Sequence, residues 1–501
     1  MLNTRASGVL MHISSLPSGC GIGVMGDETK KFIRKIKDMG FSYWQVLPLN
    51  SPDSFGSPYA SNAAFALSHM LISPDELKKS GLVSGSDVEN SRYSGSPYTA
   101  DYEFADKSHT ELLQKAYKNI NDDLRNEIED FCRENRWCES YSLFMAAKEK
   151  FENKPWYEWN EKFARYENAV ENSAELKERQ DYYKFVQYIA FSQWREIKQY
   201  ANEIGVKILG DMPIYVSTDS ADVWSHRKLF EIDERTFTRK RVSGVPPDYF
   251  SADGQLWGNP LYDWAAMEKD NYRWWCDRIK ASLKLFDTVR IDHFRAFASY
   301  WAVPADSETA KNGEWQKGPS MKLFNKIKEE LGEVPIVAED LGVFGEDVAE
   351  LLEDTEFPGM RVIQFGFDPN GDSTHLPHNY PQNTIAYVGT HDNNTLLAWL
   401  WEATPAERKF ALDYCGFDGE NWGEGGFSSP SCRKIIETVW RSSAKLAVIS
   451  YQDMCGFGSD ARMNVPGRAL GNWQFRTTDE TINQIDSDYY KKINDLFRRT
   501  N

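Results

Sequence analysis

Nowhere in the 501 residues is there an apolar run long enough to span a bilayer, and residues 1–10 lack the basic start and apolar stretch of an export signal. Membrane insertion and secretion are not expected, and the chain reads as cytoplasmic. The seven cysteines (Cys20, Cys132, Cys138, Cys276, Cys415, Cys432 and Cys455) include no CxxC pair and no other metal-ligand spacing. An odd set without such spacing reads as reduced thiols. Positive charge is in deficit, with 58 Lys and Arg against 75 Asp and Glu and a formal net charge of -17. Phosphate neutralisation needs basic patches, so no nucleic-acid partner is expected. There is no low-complexity tract, no internal repeat and no glycine-rich phosphate loop after the first strand candidate.

What is present is ample core material and many rings. Hydrophobic residues make up 41% and charged residues 27% of the chain, the composition of a globular protein. A chain of this length predicts either two or three ordinary domains or one large α/β barrel with insertions. Many of the 17 Trp, 24 Tyr and 28 Phe stand beside Gly, Asn and Asp rather than inside apolar runs. That placement suggests rings exposed on a surface that binds something flat.

The stretch Phe286-Asp-Thr-Val-Arg-Ile-Asp-His-Phe-Arg295 is apolar enough to be buried yet carries four charged side chains and a histidine. Its β-branched content predicts a strand, on which Arg290 and Asp292 project from the same side. An arginine there would hold Asp292 ionised. A structural ion pair and a nucleophile with its electrostatic support fit this segment equally well.

Around that stretch the chain alternates. Strands are predicted at Gly8–His12, Tyr43–Leu49, Val206–Ile214, Phe286–Arg295, Val334–Leu341, Arg361–Phe365, Thr384–Val388 and Ala444–Asp453, with helical patterns between them. Two excursions interrupt the alternation. Residues 51–200 predict a mainly helical insertion, and residues 215–270 predict a long loop insertion without secondary structure, the kind that usually carries function. Eight strands alternating with helices predict a closed (β/α)8 barrel spanning residues 1–501.

In such a barrel the C-terminal ends of the strands face the catalytic mouth. Asp211, Asp292, Glu339 and Asp392 fall there, on strands three, four, five and seven. Four carboxylates on one rim are hard to explain as helix caps, and their like charges would raise at least one pKa. Two chemistries use such a cluster. One is a divalent metal held with His293 and His391; the other is glycosyl transfer between an ionised and a protonated carboxyl. The exposed rings favour the second, because sugar C–H faces pack on Trp and Tyr while polar groups bond the ring edge.

Val289-Arg-Ile-Asp-His-Phe-Arg295, Ala338-Glu-Asp-Leu-Gly342 and Gly389-Thr-His-Asp-Asn393 resemble the catalytic segments of the 4-α-glucanotransferases, also called amylomaltases or disproportionating enzymes, relatives of the α-amylases. Ser14–Gly19, Gly56–Ala60, Gly210–Val216, Gly244–Asp248, Gln255–Pro260 and Ala461–Gly467 resemble the same family in the same order, so the resemblance covers nearly the whole chain. It implies Asp292 as nucleophile, Glu339 as acid/base and Asp392 as the group gripping the distorted donor sugar. It further implies sugar binding by Tyr59, Asp211, Gln255, Trp257, Arg290, His293, His391, Asn464 and Pro466, with Asp340 near the acceptor. The implied substrates are α-1,4-glucan oligosaccharides, with glucose or another glucan as acceptor, and retention of the α linkage. No cofactor is implied. In α-amylases an Asn-His pair after the third-strand aspartate serves calcium; here Met212-Pro-Ile-Tyr follows Asp211, so no metal is expected. The alternatives are an amylase-type hydrolase of the same glucans and a non-catalytic glucan-binding protein.

Overall fold

The computed structural model describes residues 4–247, 252–342 and 345–500. Asp248, at the end of the Gly244–Asp248 segment, lies outside the described residues. Eight parallel strands run at Ala6–Leu10, Tyr43–Gln45, Lys207–Met212, Thr288–Ile291, Ile336–Ala338, Gly359–Val362, Thr384–Tyr387 and Leu446–Ser450. They follow chain order around a ring, with the first strand pairing the eighth from Ala6 and Leu446 to Leu10 and Ser450. Between the fifth and sixth strands the seam is held by the Ala338 N–H donating to the Pro358 carbonyl at 3.0 Å. The architecture is the expected (β/α)8 barrel.

Every residue of the first, fourth and eighth strands is buried. Helices cover the outside of a parallel barrel and side chains fill its inside, so its strands read as continuous apolar runs. Leu10, Leu209, Val337, Met360, Ile385, Tyr387 and Val448 pack in the interior cluster. Alternation along the third strand places Asp211 on the same interior face as Leu209, one layer nearer the mouth.

The strands are shorter than their apolar runs. The fourth ends at Ile291, and His293 takes a left-handed conformation with φ 51° before a 3-10 helix at Phe294–Phe297. Asp292 therefore stands on a turn rather than within the ladder.

Between the second and third strands the chain is helical, including Tyr102–Lys118, Asp122–Glu134, Trp137–Lys150 and the long Lys177–Glu203. Buried Gln187 on that last helix pairs with both backbone groups of Leu67, at 2.9 Å each, and ties the incoming loop to the helix. Residues 215–270 depart from the loop predicted there. They contain short helices at Ala221–Ser225 and Trp264–Lys269 and strands at Arg241–Val245 and Gln255–Pro260. With Ser299–Pro304 and Glu314–Lys317 these strands form a second, antiparallel sheet of four. Among the described residues, no helix is long and apolar enough to cross a membrane.

Candidate active site

The fourth strand delivers the central pair. Arg290 lies in the barrel interior with its side chain 4% exposed, and its Nη2 donates to Asp292 Oδ1 at 2.6 Å. Its Nε donates to Asp211 Oδ1 at 3.2 Å, and the other oxygen of Asp211 accepts from the Tyr59 hydroxyl at 2.6 Å. One guanidinium is thus shared between two carboxylates. Burial pushes the Asp292 carboxyl well up; Arg290 pulls it down, and Asp211, Glu339 and Asp392 push it up again. Arg290, expected to hold Asp292 ionised, does donate to it, but its guanidinium is shared with Asp211 and works against burial.

Glu339 follows the fifth strand. Its Oε2 accepts the backbone N–H of His293 at 2.7 Å, and its Oε1 accepts that of Leu341 at 2.7 Å. Burial raises the carboxyl to about 7, against the lowering influence of Arg290 and of those two N–H groups, while neighbouring Asp340 adds to the rise. The left-handed turn at His293 is what aims its N–H at Glu339, and the imidazole meets the Trp257 ring edge-on with centroids 4.7 Å apart. Burial, with Arg295 nearby, pushes His293 down to about 3, so its ring is neutral.

Asp392 arrives from the seventh strand. Its Oδ1 accepts Asn464 Nδ2 at 2.6 Å and lies 3.2 Å from His391 Nε2. His391 stacks on Tyr59 at 5.2 Å and 18°, and burial lowers its pKa.

A cleft of ≈ 930 Å³ opens over these groups. Of the expected site residues, Asp292, Asp392, Tyr59, Gln255, Trp257, His391, Asn464 and Pro466 line it. Asp211 and Arg290, expected as sugar ligands, lie beneath the lining with side chains 0% and 4% exposed. Asp340 is not brought to the cleft. Its side chain is 1% exposed, and it accepts the Met360 N–H at 2.6 Å and Arg361 Nη1 at 2.8 Å. Adjacent residues at a strand end point opposite ways, and Asp340 serves the seam while Glu339 bonds the His293 and Leu341 N–H groups.

Two residues were missed. Trp473, with φ 64°, packs against both Tyr59 and His391, at 5.7 and 5.8 Å between centroids. Arg462 donates to the Asp392 carbonyl at 2.6 Å and to the Asn464 carbonyl at 2.7 Å, joining the two loops. Arg462 stood inside the Ala461–Gly467 segment, whereas Trp473 had no neighbouring motif to mark it. Among the described residues, no group of three His, Cys, Asp or Glu is placed to hold a metal ion.

This geometry can be set beside known proteins. A family model described as 4-alpha-glucanotransferase matches residues 11–481. A 4-alpha-glucanotransferase of Clostridium butyricum is 42% identical over 493 residues, covering 96% of this chain and 98% of its own. Another, from Aquifex aeolicus, is 41% identical over 99% of each chain. Among solved structures, an amylomaltase from Streptococcus agalactiae in complex with acarbose aligns with a TM-score of 0.94 at 38% identity, covering 99% of this chain and 100% of that one.

Proposed function

The chain belongs to the 4-alpha-glucanotransferase family, and from that premise we propose that its reaction passes through a glycosyl-enzyme formed on Asp292. The activity is transfer of an α-1,4-glucan segment to a second glucan. In the first step a carboxylate oxygen of Asp292 attacks the anomeric carbon of the donor. The glycosidic oxygen takes the proton of Glu339, and the shortened glucan leaves with a free 4-hydroxyl. In the second step Glu339 removes the proton from the 4-hydroxyl of the acceptor, a glucan or glucose. That oxygen attacks the same carbon and Asp292 departs. Two inversions restore the α configuration.

The division of one proton between Asp292 and Glu339 carries this reading. Arg290 donates directly to Asp292, whose side chain keeps 31% exposure, and that cation favours the anion there against the opposing effect of burial. Glu339 has no cation within bonding distance among the described residues and titrates at about 7, so it holds the proton near neutral pH. Asp392 and His391 grip the donor hydroxyls, Asn464 and Arg462 fix Asp392 in place, and Tyr59 and Trp257 offer ring surface. The acarbose bound by the Streptococcus agalactiae amylomaltase supports maltooligosaccharides as ligands of this cleft. We read residues 51–200 and 215–270 as the walls of one catalytic unit working in the cytoplasm.

Incubation with maltotriose tests the reading. Transfer produces glucose together with a ladder of longer maltooligosaccharides, whereas shortening to maltose and glucose alone would mark a hydrolase.

A further inference from the structure

The wall of the cleft extends beyond the carboxylates to Ser217, Thr218, Gly258 and Asn259. Gly258 and Asn259 share their strand with Trp257, which faces His293. Two parts of the chain far apart in sequence meet at this wall.

One part is a turn of the helical region. Trp156 is fully buried, and its Nε1 donates to the Thr218 carbonyl at 2.7 Å while its backbone N–H donates to Asp219 Oδ1 at 3.1 Å. Lys148 Nζ holds the other oxygen of Asp219 at 2.5 Å. Phe237 packs edge-on against the same indole, 5.1 Å between centroids. The next residue, Tyr157, meets Trp156 edge-on at 5.5 Å and is left 41% exposed.

The other part is Arg239. Its Nη1 donates to the Gly258 carbonyl at 2.6 Å and reaches Thr218 Oγ1 at 3.5 Å, both on residues that line the cleft. Its side chain is otherwise exposed, and through Thr218, which it shares with Trp156, it stands beside the turn that carries Tyr157.

A lone exposed tyrosine needs no explanation. This one stands on a buried anchor bonded to the cleft wall and beside a guanidinium with further N–H donors. An exposed ring next to N–H donors is the pairing that recognises a sugar, the ring taking the C–H face and the donors the hydroxyls.

We propose that Tyr157 and Arg239 form a remote subsite at the end of the cleft, taking a glucosyl unit of a long α-1,4-glucan donor. The site rests on the transferase reading for the identity of its ligand. Short donors do not reach it; long donors do, and gain one extra contact.

The test compares kcat/KM for maltoheptaose with that for maltotriose in the wild-type enzyme, Tyr157→Phe and Tyr157→Ala. The readout is the ratio of the two values within each protein, which loss of folded enzyme does not change. In Tyr157→Ala the ratio falls about three- to tenfold, the worth of one aromatic contact; in Tyr157→Phe it stays within about twofold of wild type because the ring remains. An unchanged ratio in Tyr157→Ala, or an equal fall in Tyr157→Phe, would overturn the subsite. If wild-type enzyme transfers from neither donor, the transferase reading fails instead. Calorimetric titration of wild type and Tyr157→Ala with the two sugars then decides the subsite, by the same ratio taken on affinities.

Discussion

Glu339 Oε2 accepts the backbone N–H of His293 at 2.7 Å, which ties the proposed acid/base carboxyl to the residue directly after Asp292. The same turn that lifts Asp292 off the fourth strand therefore sets where Glu339 stands. The first prediction comes from its protonation. In the proposed first step Glu339 donates only while protonated, and its pKa is pushed up to about 7 by burial. The rate of glycosyl-enzyme formation should fall as pH rises through about 7. In Glu339→Gln that alkaline limb should vanish and kcat/KM should drop by about 10²- to 10⁴-fold. A pH–rate profile measured with maltotriose checks both, and a limb persisting in the variant would assign it to another group.

Arg290 supports Asp292 and Asp211 together. Arg290→Ala leaves two carboxylates without their cation, so both activity and stability should suffer. Breaking a buried pair costs about 3–5 kcal/mol. Arg290→Lys keeps the charge but not the two-pronged geometry, and should melt closer to wild type while its kcat remains low. Thermal melts paired with kcat separate the two effects. Equal damage to kcat and melting temperature in both variants would mean that Arg290 is only structural.

Asn464 makes a side-chain bond to the Asp392 carboxylate, at 2.6 Å. A bond to a charged group is worth about 1.5–3 kcal/mol. Asn464→Ala should lower kcat/KM by about 10- to 100-fold with little change in melting temperature, measured on maltotriose. A loss confined to stability would place Asn464 outside the reaction.

Asp340 holds the seam between the fifth and sixth strands through Met360 and Arg361. Asp340→Ala should cost about 2–3 kcal/mol of stability, seen as a lower urea midpoint. The KM for glucose as acceptor should change little. A selective rise in that KM at an unchanged midpoint would restore Asp340 to the acceptor site.

No step of the proposed mechanism uses a metal ion. Extended dialysis against a chelator should leave maltotriose disproportionation intact, and activity lost on chelation and restored by one ion would contradict the proposal.

The barrel strands were legible because most are buried on both faces, so Val289, Ile291, Val337 and Val448 announce themselves as apolar runs. The four-stranded antiparallel sheet was not. Arg241–Val245 and Glu314–Lys317 are polar or glycine-bearing, and they become strands by pairing with Ser299–Pro304 across long stretches of chain. The rim carboxylates Asp292, Glu339 and Asp392 could be placed from their positions after strands. Asp340, expected near an acceptor from the family resemblance, has a buried side chain bonded to Met360 and Arg361, a partnership across the seam that its own segment does not announce. Trp473 acquires meaning only through packing on Tyr59 and His391, which no local pattern encodes.

The central claim is that Asp292 carries the sugar between donor and acceptor. Glu339→Gln treated with an α-maltosyl fluoride, whose leaving group departs without acid assistance, should accumulate the covalent species because its breakdown lacks the base. Quenching, proteolysis and peptide mass spectrometry then locate the adduct. The account predicts a maltosyl unit esterified to Asp292; an adduct on Asp392 or Asp211, or a reacted substrate with no adduct at any carboxylate, would contradict it.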